Sequence, residues 1–234
     1  MAALWLAVGL GACDGGPVVE PTPPALLPLE VGHRWLLVRT VTDADGDTLA
    51  VEPDTVAVVG EATFDGERWF RLAGSSGASQ AGFGGYNTVR PDGVWFRAAG
   101  APPYLQYAYP TEGGAEYPYA PHRYTARAEV VGTDEQVRGA SGLRGVLYRV
   151  TFDSLRVPPN LPFGDDVPPL RRLLVPGVGF GEYETQFWEI SPEGELALLR
   201  TQSWRLVRFE PAGAESEGSL ALWSRNVDEG RGGR

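Results

Sequence analysis

Lysine is absent from this chain of 234 residues, cysteine occurs once, and histidine occurs twice. A single cysteine rules out a disulfide framework and leaves no thiol pair for redox or metal chemistry. His33 and His122 have no His, Cys or Glu partner at ligand spacing, so no metal site is expected, and both fall where strands should end. All 20 basic residues are arginine, set against 30 acidic ones for a net charge of −10, and they form no cluster. Nucleic-acid binding rests on clustered basic residues that neutralise phosphates, so that class is set aside. No stretch reaches the roughly 20 apolar residues that span a bilayer as a helix. No Gly-x-Ser-x-Gly marks a nucleophilic serine, and with 30 carboxylates some pair falls at glycosidase spacing by chance. A non-enzymatic chain without a cofactor is the expectation. What the sequence has in quantity is 31 glycines, 20 prolines, seven tryptophans and nine tyrosines. That is the composition of a folded chain with many turns, since a disordered one would lack the aromatics.

The lone cysteine sits where the N-terminal apolar run stops, in Leu10-Gly11-Ala12-Cys13. A peptidase that cuts before a lipid-bearing cysteine needs an apolar residue three before the cut, small residues next, and no bulk at the cleavage point. These four residues meet those demands and resemble a bacterial lipobox, in which the Cys13 thiol carries diacylglycerol. Free cysteine is more often buried in a core, but Asp14, Gly15, Gly16 and Pro17 cannot build one around it. Met1 to Ala12 holds no Lys or Arg and is shorter than the roughly 15 to 30 residues of a secretory signal, so the start codon is expected upstream of Met1. The expected organisation is a signal segment over 1–13, a Pro-rich tether over 14–28, one β domain over 29–210 and a poorly ordered tail over 211–234. The tether in polyproline conformation reaches roughly 45 Å at about 3.1 Å per residue. The chain is thus expected outside the cytoplasm, with the envelope membrane as its partner through the lipid.

Along the folded part the turn chemistry is explicit. Asp43-Ala44-Asp45-Gly46-Asp47 begins like a calcium loop, but Thr48 stands where glycine is needed and Asp54 where glutamate is usual. Asp-Gly between β-prone runs reads instead as a hairpin, as do Asp65-Gly66 and Pro91-Asp92-Gly93. Ala73 to Gly85 and the five-proline stretch Pro158 to Pro169 read as loops. Tyr124, Ala126, Ala128 and Val130, and then Val146, Tyr148, Val150 and Phe152, alternate with mostly polar residues. That period of two marks antiparallel strands. Glu193-Gly194 turns the chain into a last strand from Leu196 to Phe209.

Six of the tyrosines fall between Tyr104 and Tyr124. Tyr104, Tyr107, Tyr109, Tyr117 and Tyr119 are the candidate ligand-contacting aromatics, as a platform for sugar rings. The competing reading is an irregular hairpin end whose rings pack and whose hydroxyls stay wet.

Pro28-Leu29 with Gly32 and Trp35, the segment closing at Tyr109-Pro110, Gly145 before the Val146 to Phe152 strand, and Pro176-Gly177-Val178-Gly179 together resemble a group of largely uncharacterised bacterial lipoproteins. That group opens with a lipobox, continues with Pro-Leu-x-x-Gly-x-x-Trp, and closes with Ala-Pro-Gly-Val-Gly before paired strands. Here Val175 replaces the alanine, and Phe180-Gly181 replaces an aliphatic pair. The resemblance implies architecture and location and names no catalytic residue. The fold expected is mainly β, a strongly bent antiparallel sheet or open β-barrel of roughly eight to eleven strands with little helix. The function expected is a lipid-anchored, non-enzymatic envelope protein with a structural or interaction role. The alternative is a carrier whose half-barrel encloses a hydrophobic ligand such as an acyl chain, allowed by strands such as Arg68 to Leu72 with large apolar residues on both faces. Carbohydrate binding through the tyrosine segment is a third. Without a ligand, Trp35, Trp69 and Trp95 would share a dry core.

Overall fold

The computed structural model describes residues 24–75, 83–109, 112–119, 121, 124–140, 142–155, 161–162, 167–191 and 195–214. Cys13 and the residues read as a lipobox, His122, Glu193-Gly194, most of the Pro158 to Pro169 loop and the tail beyond 214 lie outside them.

Strands follow one another along the whole chain: β1 Arg34–Asp43, β2 Thr48–Phe64, β3 Glu67–Gly74, β4 Gly85–Arg90, β5 Gly93–Arg97, β6 Tyr104–Ala108, β7 Glu116–Tyr119, β8 Tyr124–Gln136, β9 Arg144–Leu155, β10 Leu161–Pro162, β11 Leu170–Val175, β12 Gly179–Ile190 and β13 Leu196–Glu210. No helix interrupts them among the described residues. They form one antiparallel sheet in the order β6-β5-β4-β3-β2-β1-β13-β12-β11-β9-β8-β7, with β10 beside β9. The twelve strands of that path bend into a barrel that is nearly closed, with one unsealed seam. The mainly-β, open-barrel expectation therefore stands, but the strand number exceeds it. The tyrosine segment contributes two short strands, β6 and β7, where an irregular hairpin end was expected, and a piece of the Pro-rich loop pairs as β10.

The three expected hairpins all form. Asp65 and Gly66 both take positive φ, at 53° and 81°, the left-handed pair that a two-residue turn matched to strand twist requires. At the first hairpin the Asp43 carboxylate accepts the amides of Asp45 and Asp47 at 3.1 and 2.8 Å, so it is committed to the turn.

The two chain ends meet in the β1–β13 ladder, from Arg34 opposite Glu210 to Asp43 opposite Arg200. Beneath it Trp35 lies fully buried, stacked 5.6 Å from Phe209 and edge-on to Phe180 at 5.2 Å. Its Nε1 donates to Val178 O at 2.6 Å. This contact explains the Pro-Gly-Val-Gly phrase between β11 and β12. A Cβ on Gly179, whose φ is +98°, would come within 2.9 Å of both Trp35 Nε1 and Leu27 Cδ1, so no side chain fits.

Folded structure begins before Leu29. Leu26 and Leu27 are 2% and 0% exposed within the main core, and Gly177 N donates to Ala25 O at 2.8 Å. The last residues of the expected tether therefore plug one end of the barrel. Trp69 and Trp95 also depart from expectation. Trp69 and Phe70 take opposite faces of β3; Phe70 packs on the main core, while Trp69 meets Phe64 and Arg90 on the outer side. The Arg90 guanidinium lies 5.6 Å from the Trp69 ring and 4.3 Å from that of Trp95, and it is held by both Glu67 oxygens at 2.8 and 2.7 Å. That hydrogen-bonded pair lowers the Glu67 carboxyl below its usual range. Both faces of this strand are thus covered by the protein's own residues.

A second outer cover is the β8–β9 hairpin end, whose Val137 packs with Leu147, Leu173 and Val175. It is clamped by Glu182, which accepts Arg138 N at 2.5 Å and Arg171 Nε at 2.7 Å.

Candidate functional site

In the strand Leu170–Val175 two arginines stand side by side, and a period of two sends them to opposite faces. Arg171 points outward and finds Glu182 at 2.7 Å. Arg172 points inward, opposite Tyr148 of β9 and Tyr183 of β12, and is only 3% exposed. Among the described residues no carboxylate meets it. Its Nη1 donates to Tyr119 OH at 2.5 Å, its guanidinium lies 4.4 Å from the Tyr183 ring centroid and 5.2 Å from that of Tyr119, and its Nε has no partner. The Tyr107 hydroxyl, fully buried, also has none.

Three of the phenols near the guanidinium, Tyr104, Tyr107 and Tyr183, are held neutral. Burial drives Tyr104 and Tyr107 well above the ordinary range, the first helped by Tyr119 and the second opposed by Arg172. Tyr183 is pushed up to about 12 by burial, with Arg172 pulling the other way. For Arg172 itself burial disfavours the charge, Tyr119, Tyr183 and Tyr107 favour it, and the balance is strongly upward. The result is one full positive charge inside the barrel, offset only by ring faces and one hydroxyl. Two desolvated cation–π contacts are worth on the order of 2 kcal/mol each, against an effective penalty of several kcal/mol for a buried ion.

This cluster sits behind the seam. β6 and β7 are the two ends of the strand path, and no backbone ladder joins them among the described residues. Side chains close the gap. Tyr117 OH donates to Gln106 O at 3.0 Å, Tyr148 OH donates to Ala108 O at 2.6 Å, and the Tyr104 and Tyr119 rings meet edge-on at 5.5 Å.

Neither a protein-family model nor a curated protein sequence matches this chain. Two solved structures are similar in shape. One, from Bacteroides fragilis, is described as an exported protein with a YmcC-like fold; it is 12% identical, with a TM-score of 0.37, over 80% of this chain and 100% of its own. The other, from Parabacteroides distasonis, is described as a lipoprotein; it is 12% identical, with a TM-score of 0.36, over 81% of this chain and 100% of its own.

Of the aromatics singled out from the sequence, Tyr104, Tyr107, Tyr117 and Tyr119 gather along the seam. Tyr107 and Tyr119 are buried, while Tyr104 and Tyr117 are half-buried. Tyr109 follows β6 and packs on the main core near Leu26. The sequence reading missed Arg172, Tyr148 and Tyr183. The available signal was Arg171-Arg172 inside an otherwise apolar strand, where alternation forces one guanidinium inward. A concavity of about 570 Å³ lies beside the N-terminal plug and is lined by Leu27, Leu29, Phe70 and Val89. Its charged lining residues are matched within the protein, Arg68 with Glu61 and Glu67 with Arg90, so it lacks the unmet demand found at Arg172.

Proposed function

We propose that this chain is a lipid-anchored, non-enzymatic binding protein of the bacterial cell envelope, which holds an amphipathic ligand within its barrel. The observation that carries the binding role is the buried Arg172 guanidinium with no anion beside it. Neutral phenols and a guanidinium supply no general base near neutral pH, which supports binding over catalysis. The anchor rests on Leu10-Gly11-Ala12-Cys13. Because Leu26 and Leu27 belong to the core, the span free to act as a tether is shorter than 14–28. From Cys13 to Pro24 it reaches about 34 Å at ~3.1 Å per residue, with the plugged end of the barrel toward the membrane.

One experiment tests both halves. Cells making the protein are labelled with radioactive palmitate, and the protein is then analysed by native mass spectrometry. The wild type should carry label, Cys13→Ser should move unlabelled to the soluble fraction, and the soluble form should retain a lipid-sized ligand. A Ser variant that stays with the membrane sinks the anchor, and a protein that emerges bare and takes up nothing sinks the binding role.

A further inference from the structure

Resting on that binding role, we infer that Arg172, Tyr107 and Tyr119 form the head-group site for the carboxylate of a single-chain fatty acid, which enters through the β6–β7 seam. The charge balance selects the head group. Of the other charged side chains at inward positions, Arg39 is paired with Glu52 at 2.5 Å and Asp54 accepts Trp204 Nε1 at 2.8 Å, while Arg200 lies 4.7 Å over the Phe187 ring with its buried Nε also unpartnered. At Arg172 one unit of positive charge has no anion beside it among the described residues. A monoanion neutralises it, whereas a dianionic phosphate would leave one negative charge beside it.

The donors select the geometry. Arginine presents its Nε and one Nη along a single edge, the fork that matches the two oxygens of a carboxylate. Here Nε is unpartnered, and the tyrosine hydroxyl holds Nη1, the nitrogen outside that edge. The orphan Tyr107 hydroxyl adds a third donor. The walls select the rest of the molecule: Ala126, Ala128, Val150 and Leu170 surround Tyr119, with Phe152 and Tyr104 packed on them, so the site suits an acyl chain and not a small hydrated anion.

The seam is the route because it is the weakest closure in the wall. Two side-chain hydrogen bonds and one ring contact hold it, each bond worth about 0.5–1.5 kcal/mol net. Separating any other neighbouring strands of the wall breaks a backbone ladder. Tyr119, which is part of the seam, also accepts the hydrogen bond from Arg172 Nη1, so opening the wall and freeing that nitrogen are one movement.

The test uses the full chain carrying Cys13→Ser, stripped of lipid, with cis-parinaric acid as the fluorescent probe. Palmitic acid, hexadecanol, sodium acetate and inorganic phosphate are the competitors. Palmitic acid should displace the probe at least about tenfold better than hexadecanol, a difference of about 1.4 kcal/mol. Arg172→Met should abolish that preference while raising the melting temperature of the ligand-free protein, since it removes a buried unpaired charge. Tyr107→Phe should weaken palmitate binding and leave hexadecanol unchanged. The paired change Tyr117→Phe and Tyr148→Phe should accelerate probe uptake severalfold.

Equal competition by palmitic acid and hexadecanol overturns the carboxylate site while the binding role survives. Arg172-dependent displacement by acetate or phosphate overturns the acyl chain in favour of a small-anion site. An unchanged uptake rate in the paired variant overturns the seam as entrance. If no amphiphile binds at all, the binding role falls with the rest.

Discussion

Leu27→Ala asks whether the chain ahead of Leu29 belongs to the folded unit. In a rigid core, deleting a fully buried leucine costs about 2–5 kcal/mol, and Leu27 is 0% exposed. The segment carrying it is short, however, and it can leave. Burial of Leu26 and Leu27 contributes about 1.5–3 kcal/mol each, and the bond from Gly177 N to Ala25 O adds about 1 kcal/mol. Ordering opposes this. Pro24 and Pro28 already have fixed φ, so the three residues between them bear most of the loss, at about 1–2 kcal/mol each. Docking is thus favourable by only about 1–2 kcal/mol, and losing either leucine removes it. The measured cost of Leu27→Ala should therefore be about 1–2 kcal/mol, below the rigid-core value. Shortening the chain to begin at Leu29 should cost the same, and adding Leu27→Ala to Leu26→Ala should cost almost nothing more. Urea unfolding followed by tryptophan emission measures the stabilities, and hydrogen exchange at the Gly177 amide reports docking directly. If Leu27→Ala unfolds at the wild-type midpoint, or if the two leucine changes add fully, the docked plug is wrong.

Glu182→Gln keeps the shape of the clamp but removes its charge from Arg171 and Arg138. A drop of about 2–3 kcal/mol in unfolding free energy is expected, the scale of hydrogen bonds to a charged group; an unmoved urea midpoint would show that the β8–β9 hairpin end is held by Val137 and its neighbours alone. Burial is the first cause of the raised phenol pKa at Tyr104, Tyr107, Tyr117, Tyr148 and Tyr183. A folded-state pKa above the unfolded value gives stability that is complete below about pH 10 and is lost as pH rises through the folded values. Alkaline titration should therefore release these five phenolates together with the loss of near-ultraviolet circular dichroism. Their ionisation in a protein that keeps that signal would mean that water reaches the interior.

Local chemistry in the sequence was enough to determine the β class, the hairpins at Asp43–Asp47, Asp65-Gly66 and Pro91–Gly93, and the alternation of β8 and β9. Turn residues and a period of two act within a few residues of themselves, so they are legible without a partner. The proposed lipobox around Cys13 rests on a local steric pattern of the same kind. Tertiary structure decided what each face meets. Alternation fixed that Arg171 and Arg172 oppose each other, but only the barrel's closure gave the first a glutamate and the second a ring of neutral phenols. Leu26 and Leu27 lie among prolines that locally favour an extended tether, and they became core because Trp35 and the glycine turn at 177–179 leave a space of their shape. Trp69 carries the same hydrophobic signature as Trp35 and faces the other way, since burial of a side chain depends on which distant strand covers it. The tyrosines of β6 and β7 show the same limit. Their sequence announces aromatic surface, and only a sheet bent until its two ends meet turns that surface into a seam closed by hydroxyl groups.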